Sequence, residues 1–229
     1  MYAHFTLFKN LDEVHRLLQI HTEMTGKGPG YKHNVGVLNK SAIVLLVACW
    51  ESFVEDLAET AFSILLTRAK KHDTFEMGVL TEAAKPLKDS PDSREVWKLA
   101  GDGWKSVLKE HKAALFERYI GKFNTPRSEP VDCLYRLLLG INAISSNWRW
   151  QGMSVETARS KLNRLIELRG SIAHRVAASR KVLKNNVRDH ISFINHIAVN
   201  TSNAVRSFIL ESTGKEPWPE FSYAKTKTF

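Results

Sequence analysis

The stretch Ala42–Leu66, AIVLLVACWESFVEDLAETAFSILL, decides the fold class. Its first nine residues, Ala42 to Trp50, are apolar without interruption. From Phe53 onward the apolar positions thin to Phe53, Val54, Leu57, Ala61, Ile64 and Leu65, which is helical spacing. A helix that is apolar all round is buried among its neighbours, so the pattern predicts one long central helix from about Val37 to Lys71. The apolar run is far short of the ~20 residues a membrane span needs. The start of the chain, MYAHFTLFKNLDE, lacks the basic opening and small-residue cleavage site of a signal peptide. These features give the expectation of a soluble, cytoplasmic protein with no membrane partner.

Working outward toward the N-terminus, Leu7, Leu11, Val14 and Leu18 recur at steps of four, three and four. They predict an amphipathic helix that ends in the GKGPG loop, Gly26 to Gly30. In the other direction, His72 to Ser93 carries Pro86 and Pro91 and reads as connection with at most one short helix. Helix resumes near Ser93 and runs to Tyr119 with an interruption at Gly101 to Gly103. After the loop FNTPRSEP comes a helix with Val131, Leu134 and Leu138, closing at Gly140. Ser154 is placed to cap a helix whose stripe is Leu162, Leu165, Arg169, Ile172 and Val176. The last helix begins at Ser179 or later, and Val187, Ile191, Ile194, Ala198, Thr201, Val205 and Phe208 keep its period until Gly214. No segment alternates as a strand does. The expectation is an all-α bundle of five to seven helices, a single domain over residues 1–214 followed by an irregular tail at 215–229.

Composition narrows the class further. The 229 residues are 43% hydrophobic and 25% charged, which suits a globular chain. Two cysteines, Cys49 and Cys133, make neither a disulfide framework nor a metal cluster, and both are expected to be buried core thiols. The formal charge of +9 is unevenly placed. Between Trp148 and His190 stand Arg149, Arg159, Lys161, Arg164, Arg169, Arg175, Arg180, Lys181, Lys184 and Arg188 against Glu156, Glu167 and Asp189. Such a stretch is either a solvated helix face or a surface that draws a phosphate backbone by releasing its counterions. Trp148 and Trp150 flank Arg149, either as core residues or as platforms for unstacked bases.

Familiar sites are missing. GKGPG lacks the Lys-Ser/Thr ending of a phosphate loop, and no His-Glu-x-x-His occurs. The pairs His15/His21 and His190/His196 are six apart, which does not put them on one helical face as zinc ligands. No metal or cofactor is expected. Arg169 stands out because it interrupts the apolar stripe of its own helix, where a permanent charge needs a partner, a ligand or a subunit boundary. His174 follows five residues later, and five steps on an unbroken helix turn about 140 degrees. The two converge only if the helix ends or distorts near Gly170, or if one member comes from another subunit. From spacing alone a structural account is favoured: Arg169 in an ion pair with Glu51 or Glu55, and His174 as a helix-end cap.

The segment LRGSIAHR, Leu168 to Arg175, resembles the Arg, four-residue, His motif of the HEPN superfamily, all-helical nucleases and nucleic-acid-associated domains. More of the chain is similar to its RiboL-PSP-HEPN branch. The matching landmarks are the long helix LLVACWESFVEDL (Leu45 to Leu57), the loop FNTP (Phe123 to Pro126), the helix end LLLG (Leu137 to Gly140) and Trp148. The resemblance implies that Arg169 and His174 are the catalytic pair, with Glu51 and Ser171 in support. It implies RNA as partner, with Arg149, Arg159, Lys161, Arg164, Arg175, Arg180, Lys181 and Lys184 holding it. It further implies a homodimer, a toxin or phage-defence role, and an antitoxin or other regulatory protein as a second partner. The chain departs from many active members in one place: Gly170 follows the Arg where they carry Asn, Asp or His.

The chemistry that follows is metal-independent cleavage of RNA. RNA supplies its own nucleophile in the 2′-hydroxyl, so the protein needs a group that moves protons near neutral pH and a cation for the phosphorane charge. Histidine and arginine fit those tasks. Two other readings stay open: a catalytically inactive HEPN-like module that binds RNA or protein, and a purely structural helical dimer.

Overall fold

A computed structural model describes residues 3–26, 35–120, 126–174 and 181–223, the side chains of 119 and 120 excepted. Seven α-helices account for most of the described residues: α1 (Ala3–Thr25), α2 (Gly36–Arg68), α3 (Met77–Lys88), α4 (Gly103–Ile120), α5 (Ser128–Leu139), α6 (Val155–His174) and α7 (Lys184–Thr213). Three short 3₁₀ turns join them, at His72–Thr74, Ser93–Leu99 and Ile144–Asn147. Among the described residues there is no strand, only an isolated bridge between Trp150 and Met153. The all-α class and helix number agree with the periodicity.

The chain divides into two compact units. One holds the residues up to Leu57, Asn147–Ser202 and the segment from Phe221, and the other holds Ala58–Ser146 and Asn203–Glu220. Helices α2 and α7 each contribute to both.

In the first unit, Leu7, Leu11, Val14 and Leu18 of α1 are buried, as their spacing requires. Trp50 and Trp148 meet edge to face at 5.8 Å between centroids, both fully buried. The Trp148 indole Nε1 donates to Thr201 Oγ1 at 2.9 Å, and that hydroxyl donates to the Ile197 carbonyl at 2.6 Å. A buried indole N–H thus has its acceptor, and Trp148 is core rather than a platform for bases. Phe221 of the tail stacks on buried His4 at 4.0 Å, and burial pushes that imidazole down to about 4.

In the second unit, Val79, Ala83 and Leu87 form the buried stripe of α3, and Tyr135, Leu138 and Leu139 are among the residues that bury one face of α5. Gly140 ends α5 in the left-handed region, φ +83, where a Cβ would run into Glu76. Glycine is required there on both counts. Beyond it, the Asp132 carboxylate accepts from the Ser145 backbone N–H (2.7 Å) and hydroxyl (2.6 Å), fixing the next turn. The tail has no helix at 215–222, but Trp218 is buried and Arg68 donates to the carbonyls of Lys215 and Glu216.

Several expectations need correction. Helix α3 spans twelve residues where mostly connection was expected; Pro86 sits in its last turn, and the buried stripe outweighs the lost hydrogen bond. Ser93–Leu99 is 3₁₀ rather than α, with Asp92 capping it by accepting from Arg94 N, and Gly101 at φ +57 separates it from α4. Cys49 is buried, but Cys133 is only half-buried. Helix α2 is not covered on every side: Val37, Ser41 and Ala48 are exposed and Val44 and Leu45 only half-buried. By length and composition α2 is apolar enough to cross a bilayer, yet half of its most apolar window is buried inside the protein, as in the core helix of a folded domain. The expected GKGPG and FNTP loops and the start near Ser179 lie largely outside the described residues.

Candidate functional site

Helix α6 carries the residues of interest. Ser154 Oγ accepts from the Thr157 backbone N–H at 3.2 Å and so caps its first turn. Leu162, Leu165 and Ile172 are buried along one stripe, and Arg169 lies in that stripe, half-buried. The helix passes through Gly170 without a break and continues to His174. A Cβ at Gly170 would meet nothing within 4 Å, so packing does not demand glycine, and open space adjoins Arg169. On a continuous helix the Arg169 and His174 side chains diverge by about 140 degrees. One copy of α6, as far as His174, therefore does not bring them together.

Arg169 has an incomplete set of partners. Its Nε is shielded from solvent and has no hydrogen-bond acceptor among the described residues. Glu51 of α2 is the charge it feels: burial raises the Glu51 carboxyl and the Arg169 guanidinium pulls it back down. Among the described residues the two form no salt bridge. Glu55, one turn on, is raised by burial and by the neighbouring carboxylates of Glu51 and Asp56. The expected buried ion pair is therefore a longer-range attraction. His174 is exposed at the last residue of α6, and among the described residues its imidazole makes no hydrogen bond. Ser171 is exposed and its hydroxyl donates to the Leu168 carbonyl at 2.8 Å, so it serves its own helix.

Beside this cluster runs a mostly apolar groove lined by Gly36, Val37, Lys40, Ser41, Val44, Leu45 and Ala48 of α2 and by Ile172 of α6. Glu51 is the next residue along the Ala48 face of α2, and Arg169 is one turn back from Ile172, so the groove leads toward the charged cluster.

The eight residues expected to hold RNA divide. Arg149, Arg164 and Lys181 are exposed, and Arg159 is half-buried. Lys161 is half-buried with its ammonium over the Phe193 ring at 4.9 Å. Lys184 donates to Thr22 Oγ1, and its pKa is lowered by burial and by Arg188. Arg175 and Arg180 lie outside the described residues. Near Arg149 the structure adds a stack that spacing did not single out. His196 is sandwiched between Trp150 (4.6 Å) and Tyr223 (3.6 Å), and the Ser192 and Tyr223 hydroxyls are 2.8 Å apart. Its only sequence trace was Ser192 and His196 at a four-residue step. Among the described residues, no group of three His, Cys, Asp or Glu side chains is placed to hold a metal ion.

The RiboL-PSP-HEPN family model matches residues 6–207, a span that contains Glu51, the RGSIAH segment, all of α2 and most of α7. The chain belongs to the RiboL-PSP-HEPN family. HEPN domains are all-α, often ribonucleases, and commonly bind RNA. Within the matched span, Arg169 and His174 stand at Arg-x4-His spacing. No match is found among curated proteins or solved structures.

Proposed function

We propose that this HEPN domain is a metal-independent endoribonuclease whose site is assembled from two copies of the chain. The observation that carries the reading is Arg169, an Arg on an apolar stripe whose shielded Nε has no acceptor among the described residues, set on an unbroken helix that turns His174 away. A two-fold partner seated along the α2 groove supplies what one copy lacks. Isologous contact repeats every residue on both sides of the axis, so two His174 imidazoles face one RNA strand. One takes the proton of the 2′-hydroxyl, the 2′-oxygen attacks phosphorus, and the other gives a proton to the departing 5′-oxygen. Arg169 holds the non-bridging oxygens as charge accumulates on the phosphorane. Glu51 tempers the guanidinium without consuming its donors. The exposed Arg149, Arg164 and Lys181 carry the RNA backbone to the site. The same reading places the protein in the cytoplasm, in a toxin or phage-defence role held off by an antitoxin or other regulatory protein.

A second reading, a catalytically inactive module that binds RNA or protein, draws support from Gly170, which offers no polar group beside Arg169, and from Ser171, whose hydroxyl is committed to Leu168. Product analysis separates the two. Cleavage is expected to persist in EDTA, to leave a 2′,3′-cyclic phosphate and a 5′-hydroxyl, and to spare DNA and RNA methylated at the target 2′-oxygen. Fragments with a 5′-phosphate, or a magnesium requirement, assign the nucleophile to water and remove Arg169 and His174 from these roles. Binding without cleavage favours the inactive module.

A further inference from the structure

The second unit contains a cavity of about 480 Å³, within the range that holds small organic ligands. Its floor is apolar: Leu80, Ala83 and Ala84 of α3 face Val107 and Leu108 of α4. Buried Trp104 forms an aromatic wall, with the His72 ring at its edge, 6.5 Å between centroids. The mouth has a different character. Lys70, Lys71 and His72 leave the end of α2 and line it. All three are exposed, and among the described residues none of their side chains has a carboxylate or hydrogen-bond partner. The single carboxylate at the rim, Asp102, is already engaged by Lys105 at 3.6 Å, and that ammonium lies over the Trp104 ring at 5.3 Å. The lining therefore joins an apolar and aromatic interior to an uncompensated positive mouth.

We infer that this cavity binds a small amphipathic anion, a mostly apolar body carrying one phosphate, sulfonate or carboxylate. The apolar part displaces water from Leu80, Val107, Leu108 and Trp104, the share of the binding energy that scales with buried area. The anionic end stays at the mouth, where Lys70 and Lys71 reach it through solvent-facing charge-assisted hydrogen bonds. Nothing in this site draws on Arg169 or His174, which belong to the other unit, so the inference is independent of the proposed ribonuclease activity.

The test uses the full chain and 1-anilinonaphthalene-8-sulfonate, whose fluorescence reports entry into an apolar site, beside its uncharged analogue N-phenyl-1-naphthylamine. Saturable one-to-one binding is expected, with the sulfonate preferred. Reversing both charges in Lys70→Glu/Lys71→Glu should weaken the sulfonate by about tenfold or more while changing the neutral probe little. These lysines are exposed and unpaired, so the fold is not at stake. Filling the cavity with Ala84→Phe should abolish both, and Leu80→Trp, at another half-buried lining position, serves the same purpose if that variant does not fold. Competition then identifies the source: displacement by adenosine monophosphate assigns an aromatic phosphate, and displacement by decanoate an aliphatic carboxylate. Displacement by neither contradicts the inference. Binding that survives both the lysine and cavity variants, or that is lost instead on Ala48→Asp in the groove of the other unit, overturns it.

Discussion

Arg169 is held by the packing of α6 rather than by a counter-charge. Stranding the partner of a true buried ion pair costs about 3 to 5 kcal/mol, whereas loosely coupled charges at partly exposed positions are worth roughly 0 to 1 kcal/mol. Glu51 feels Arg169 but forms no salt bridge with it. Arg169→Ala is therefore expected to lower stability by no more than about 1 kcal/mol in denaturant titration. The same variant should lower RNA cleavage by about 100-fold or more, since its donors act on transition-state charge. A large loss of stability would restore the ion-pair account, and undiminished cleavage would remove Arg169 from the site. The sequence made Arg169 conspicuous because a charge on an apolar stripe is visible in one dimension. It did not reveal whether Glu51 closes on it, which depends on how α6 lies against α2. Continuity through Gly170 was equally hidden, since glycine is compatible with a helix end and with a helix interior.

At the scale of elements, α2 carries the consequence. Periodicity located it, along with α1, α5, α6 and α7, because each buries a regular stripe. It gives α3 only as one short helix within a connection, because Pro86 and Pro91 mask the stripe Val79, Ala83 and Leu87, whose packing partners the sequence does not show. Periodicity also misjudged how α2 is covered: an apolar run shows which residues avoid water, not whether a neighbour is supplied. The exposed Val37, Ser41 and Ala48 mark the side left open. If a second copy covers that side, Ala48→Asp places a carboxylate in an apolar contact, a change that costs several kcal/mol when unpaired. Ala48 is exposed in the single chain, so helical circular dichroism should be unchanged. Sedimentation at tens of micromolar, a range chosen to bracket ordinary dimer affinities, should show twice 26.0 kDa for the wild type and 26.0 kDa for the variant. A wild-type monomer, or a variant that still dimerises, places the contact elsewhere.

The whole molecule combines two compact units that share their longest helices and carry different chemistry. One unit presents Arg169, Glu51, His174 and the uncovered groove, and the other encloses the lysine-rimmed cavity. Family membership was legible in the order of landmarks along the chain, and the all-α class in its helical periodicity. The division into units was not, because α2 and α7 cross it without any break in their periodicity. Under the proposed function one copy of the chain is catalytically incomplete, and both His174 imidazoles act on one phosphodiester. Mixing settles it. Wild type and His174→Ala are combined in equal amounts, dissociated and reassociated at random, and assayed on one RNA at fixed total protein. If both copies must supply His174, only wild-type dimers cut, and about one quarter of the wild-type rate remains. If each copy works alone, about one half remains, and that result contradicts the shared site.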